Sequence, residues 1–66
     1  MDKIQILEKI NEYNAQNVHL STRSGRSYTG QLNVVTLTNP SIHRVLEIGW
    51  RQERVEVQSV LTICRT

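Results

Sequence analysis

The residues able to do chemistry are few, and most are arginines. Past residue 17 the chain carries Arg23, Arg26, Arg44, Arg51, Arg54 and Arg65 and no lysine, against Glu47, Glu53 and Glu56. A guanidinium is a planar fork that suits phosphates and base edges and stacks on aromatic faces. Arg23 and Arg26 flank one turn; Arg51 and Arg54 flank another. Each pair fits a phosphate clamp. Each fits equally a solvated surface, with Arg51 and Arg54 in loose pairs to Glu53 and Glu56 worth under ~1 kcal/mol. Up to residue 17 the balance reverses, with Lys3 and Lys9 against Asp2, Glu8 and Glu12. The total is +2, well short of a basic arm that would announce a nucleic-acid partner by itself.

The other chemical groups argue against catalysis. Cys64 lies in the apolar run from Val60 to Ile63, the setting of an inert thiol. His19 reads as an outward strand residue and His43 as a loop residue, and with Cys64 they share no metal-ligand spacing. Glu53 and Glu56 are a solvated pair beside a turn. No glycine-rich dinucleotide or phosphate loop is present. No enzyme activity, cofactor or metal is expected. A single cysteine forbids an internal disulfide and fits a reducing cytoplasm. No apolar run approaches the ~20 residues needed to span a bilayer, and Met1-Asp2-Lys3 leads straight into a helical pattern, so no targeting segment is expected.

The elements that position these groups follow from periodicity. Asp2 and Gln5 form a capping-box pattern. Ile4, Ile6, Leu7, Ile10 and Tyr13 then lie on one broad face of a helix through about Asn14. A helix this short is marginal alone and must dock, most simply as a lid over a barrel end. Val18, Leu20 and Thr22 alternate along a first strand, and Ser24-Gly25-Arg26 turns it into a second carrying Tyr28, Gly30, Leu32 and Val34. Gly30 marks a bend inside that strand. The phase breaks at Val34 and Val35, as at a bulge. Pro40 lies in a loop. Val45, Leu46, Ile48 and Trp50 form a third strand, Val55 and Val57 a fourth, and Val60 to Cys64 a short fifth. The expected architecture is mainly β: one domain over residues 1–66, a helix over 1–17 and a small, closed or nearly closed five-stranded barrel over 18–66. A chain of 66 residues buries only about 60% of its unfolded surface, so assembly with other copies is a natural route to stability. Trp50 is expected in the core. Turned outward, it would be an interface anchor or a base-stacking platform.

The run Gly25 to Leu32 resembles the first signature of the Sm-like proteins: a glycine turn, an apolar or aromatic residue three on, a second glycine two beyond that, then x-Leu. The helix leading to Val18 through Gly25 is most similar to the bacterial Hfq branch, and the likeness covers nearly the whole chain. The resemblance implies a strongly bent Sm-like barrel of the SH3 type and a role in post-transcriptional regulation. It implies a homo-oligomeric ring of about six or seven copies, in which the fourth strand of one copy (Val55, Val57) pairs with the fifth of the next (Leu61, Ile63). Single-stranded, uridine-rich RNA would bind round the pore through the loops at Thr36 to Asn39 and Val57 to Ser59. Asn39 would read a base edge, although a turn before proline explains it as well. Gln58 stands where that branch has a histidine, Thr36 replaces an acidic residue, and the second family signature is absent. These departures spare the barrel and strike the pore site. The chain also resembles the Rho-binding antiterminator family, small Sm-like monomers that bind a protein and not RNA.

Overall fold

The computed structural model describes residues 1–66. Helix α1 spans Lys3–Glu12. Asp2 caps it: its Oδ1 accepts from Gln5 N at 2.8 Å, and Gln5 Oε1 accepts from Asp2 N at 3.2 Å, the reciprocal capping box. The helix stops at Tyr13, before the expected Asn14, and Ala15 follows in the left-handed region at φ 70°. Ala15 N then donates to Leu32 O at 2.8 Å, and Leu32 N donates to Gln16 O at 2.9 Å, tying the helix exit to the middle of the sheet. Only Ile6, Ile10 and Tyr13 are buried; Ile4 and Leu7 are 69% and 41% exposed. The apolar face is narrower than its sequence pattern, because the helix packs chiefly on one edge strand and such a contact covers a single i, i+4 stripe.

Five antiparallel strands follow: β1 Asn17–Thr22, β2 Ser27–Leu37, β3 His43–Ile48, β4 Glu53–Glu56 and β5 Val60–Arg65, in the order β4-β3-β2-β1-β5. The sheet does not close on itself, so β4 and β5 are its two edges. The β1–β2 turn is held by Thr22 N donating to Arg26 O at 2.8 Å and Gly25 N donating to Thr22 O at 3.0 Å, with Gly25 at φ 90°.

The long strand β2 serves both halves of the sheet. Residues 27–31 pair with β1, from Ser21↔Ser27 to Asn17↔Gln31; residues 32–37 pair with β3, from Leu32↔Ile48 to Leu37↔His43. The change of partner falls just past Gly30. A Cβ built there would lie 2.6 Å from Gly49 Cα, and Gly30 has φ 151°, so the bend needs glycine for space and for conformation. The expected bulge at Val34 and Val35 is absent. The β2–β3 register runs unbroken through both, with Val34 opposite Leu46 and Val35 opposite Val45. Opposed residues share a face of the sheet, so this hairpin is apolar on both faces, and that produces the broken phase.

The third strand ends at Ile48, not at Trp50. Gly49 at φ 76° and Gln52 at φ 54° turn the chain, and Gln52 N donates to Gly49 O at 3.0 Å. Trp50 is thereby carried out of phase and stands 88% exposed, which corrects its expected burial. The fourth strand is likewise cut short: Val57–Ser59 forms a 3-10 turn. The core gathers Val18 and Leu20 of β1, Leu32 of β2, Leu46 and Ile48 of β3, Val55 of β4, and Val60 and Ile63 of β5 under Ile6, Ile10 and Tyr13, with Tyr28, Val34 and Val57 packed at its margin. No helix is long and apolar enough to cross a membrane.

Candidate nucleic-acid interface

Strand register sorts the candidate residues to two ends of the β2–β3–β4 half. Leu37↔His43 and Val45↔Glu56 place the 38–42 loop and the 57–59 turn at one end. Ile48↔Glu53 places the 49–52 turn at the other. Asn39 and Gln58 therefore share the first end, and both are exposed.

At that first end a groove of about 280 Å³ opens between helix and turn, lined by Lys3, Ile6, Leu7, Arg23, Val57, Gln58 and Val60. Arg23 reaches it because its backbone N donates to Ser59 O at 2.9 Å, extending the β1–β5 pairing into the turn. The result is an apolar floor rimmed by two cations and one amide. Lys3 and Arg23 were visible in the sequence only as a polar helix position and a hairpin flank. Their approach to Gln58 depends on β1 pairing with β5 and on the helix docking there, neither of which leaves a local signature.

At the second end Arg26, Ser27, Tyr28, Glu53 and Arg54 line a cleft of about 430 Å³. A hollow of about 150 Å³ lies beside it, lined by Thr29, Ile48, Gly49, Trp50, Arg51 and Glu53. The two arginines flanking the turn part company: Arg54 joins Arg26, whereas the Arg51 guanidinium lies over the Trp50 ring, 5.3 Å from its centroid. The ion pair of Arg54 is with Glu47, its cross-strand partner, Nε to Oε2 at 3.4 Å, and not with Glu53 or Glu56. This is a single-point contact between an exposed guanidinium and a carboxylate that is mostly covered, worth about 1 kcal/mol or less.

The four residues implied in subunit pairing differ in kind. Val55 and Ile63 are buried in the chain's own core, Val57 is half-buried and Leu61 is exposed. Any pairing of copies along the edges of β4 and β5 would run through backbone groups, with Leu61 the side chain most available.

The outer face of the β5–β1–β2 half carries a polar row. Cys64 lies opposite His19, and His19 lies opposite Thr29 with Nδ1 2.8 Å from Thr29 Oγ1. The sequence showed no spacing between His19 and Cys64; strand pairing makes them neighbours. His43 Nδ1 instead donates to Ser41 O at 2.7 Å. No group of three or more His, Cys, Asp or Glu side chains gathers as a metal site would require. Comparison with known proteins finds no matching family model, curated protein or solved structure.

Proposed function

We propose that this chain is a non-catalytic, Sm-like RNA-binding protein that assembles into a homo-oligomeric ring and binds single-stranded RNA at the end carrying Asn39 and Gln58. The observation that supports it is the groove joining Gln58 to Lys3 and Arg23 over an apolar floor, on a sheet with two free edges. An amide offers a donor and an acceptor to a base edge. The two cations attract the phosphates on either side, and Leu7 and Val57 meet the face of the base. A ring would repeat the groove round one axis, and linked sites raise avidity without new contacts. Asn39, at the same end, supplies a second amide.

The test is oligonucleotide binding by fluorescence anisotropy as salt is raised, with light scattering on the same sample. The expected results are a mass several times 7.6 kDa and an affinity falling with salt, with a slope near −0.7 per phosphate contact. Salt-independent or absent binding of U-rich and A-rich strands sinks the reading. A second reading, a monomeric or dimeric adaptor that docks a protein in the manner of the Rho-binding antiterminators, is favoured by the exposed Ile4 and Leu7 of α1. A mass of one or two chains, together with capture of a stable protein and no RNA, would select it.

A further inference from the structure

Helix α1 carries two stripes, and the sheet covers only one. Ile6, Ile10 and Tyr13 are buried in the core. Ile4 and Leu7 are 69% and 41% exposed, and Asn11, four residues on, is exposed as well. At 3.6 residues per turn these three form a second line, about a third of a turn round the helix from the first. Opposite charges flank it, Lys3 on one side and Glu8 on the other, both exposed. Neither is paired within the chain, whose ion pairs are Lys9 with Glu12 and Arg54 with Glu47.

We propose that this stripe pairs with the same stripe of a second copy, the two helices running parallel about a two-fold axis. In a heptad frame Ile4 and Asn11 take the a positions and Leu7 the d position. Lys3 takes a g position and Glu8 the following e position. Isoleucine at a with leucine at d favours two strands, and an asparagine at a fixes the register. In a parallel pair a g residue faces the e residue five further along the other helix. Lys3 therefore meets the partner's Glu8, and symmetry makes the contact twice. In an antiparallel pair the lysine flanks would face each other and so would the glutamate flanks, so charge selects the parallel arrangement. The stripe is complementary to itself, and that singles out a second copy over a foreign protein. Two helical turns cover far less than the ~1,200 Å² of a standard interface. Single chains therefore pair weakly and only when concentrated, whereas copies already linked in an assembly would pair many times over. The pairing does not depend on RNA binding, but it bears on it. Lys3 and Leu7 also line the groove at Gln58, so a paired helix withholds them from a strand.

Sedimentation equilibrium on the full chain, from micromolar to millimolar concentration, measures the pairing. The expected result is a twofold rise in mass over the unit present at the dilute end. Ile4→Gln abolishes the rise, and so does Lys3→Glu; Lys3→Glu combined with Glu8→Lys exchanges the pair and restores it. These side chains lie outside the core, and the exchanged charges suit the helix dipole, so melting temperatures should hold. A mass that does not rise, or that rises equally in Ile4→Gln, overturns the pairing. A charge exchange that restores nothing overturns the parallel register. Direction is also read by oxidation of Ile4→Cys in a Cys64→Ser background, since equivalent a positions meet across a parallel pair. Cross-linking no better than that of Gln5→Cys in the same background again overturns the parallel register. Anisotropy of a labelled U-rich strand then compares the cross-linked and reduced forms of the Ile4→Cys variant. Affinity should fall at least ~10-fold on cross-linking, because a covered groove binds only through its open fraction. Equal affinity overturns the competition between pairing and the groove. Absence of binding by both forms overturns the RNA reading, while the masses and the cross-link still decide the pairing.

Discussion

The two ends of the sheet carry the same sign of charge on opposite kinds of surface. At Gln58 the cations ring an apolar floor, and that floor comes from the helix: Ile6 and Leu7 face Val57 and Val60 across the groove. At Trp50 the cations stand beside a bare indole and a polar cleft, and backbone conformation does the positioning through Gly30, Gly49 and Gln52. One end is therefore held by side-chain packing between distant segments, and the other by a close approach of main chain. The two should fail separately, under different substitutions.

The sharpest way to break the second end is Gly30→Ala. The new methyl would fall 2.6 Å from Gly49 Cα and 2.9 Å from Gly49 N, both main-chain atoms that no rotamer change can move. Overpacking together with a left-handed φ costs about 3 kcal/mol or more. In a domain this small, with a urea m-value of roughly 1 kcal/mol/M, the midpoint falls by about 3 M or folding is lost. Urea unfolding followed by far-UV circular dichroism measures it. A midpoint within ~0.5 M of wild type would mean that β2 and the 49–52 turn do not meet as described.

The corresponding change at the first end is Ile6→Ala. It opens the floor of the groove and loosens the helix from β5 and the core, at a cost of about 2 kcal/mol, the lower limit for such truncations because a short helix can settle into the gap. The comparison sharpens if this variant loses affinity for U-rich strands while Trp50 emission in the free protein stays as in wild type. An altered Trp50 spectrum would show that the two ends are coupled and would remove the distinction drawn between them.

This division also separates what was legible in the sequence from what was not. Val18, Leu20 and Thr22 alternate without interruption, and so do Tyr28, Gly30 and Leu32, so the first hairpin and its bend could be read from spacing. The inward members of β1 are buried as the alternation requires. The helix start was legible too, because a capping box is local. Trp50 was misread because the alternation Leu46, Ile48, Trp50 is sound up to the residue at which Gly49 takes a positive φ, and periodicity carries no information on where a glycine leaves the strand. Val57 failed for a related reason: it keeps the strand phase of Val55 but lies in a 3-10 turn. The meetings of Arg26 with Arg54 and of Arg23 with Gln58 join segments about 30 residues apart. They follow from sheet order and curvature, which no local pattern encodes.

The smallest expected effect tests how the far end of the helix is held to the sheet. Tyr13, buried under α1, has the Lys9 ammonium 5.3 Å and the Arg65 guanidinium 5.2 Å from its ring centroid, so it links helix to β5 through one aromatic ring. The nearby Tyr13, then the charge of Glu12, raise Lys9 above its ordinary 10.5, with desolvation and Arg65 opposing. The folded chain therefore keeps a proton on Lys9 at a pH where the unfolded chain has released it. The stabilisation is fully present below 10.5 and is lost as pH rises through the elevated value. Because Lys9 is solvated, the effect is smaller than that of Ile6→Ala. Melting temperatures of wild type and Lys9→Met, compared between pH 9 and pH 12, should differ most at pH 9 and converge at pH 12. Parallel profiles would show that Lys9 adds nothing to the helix–sheet contact, leaving Ile6, Ile10 and the Arg65–Tyr13 contact as the anchors of the helix.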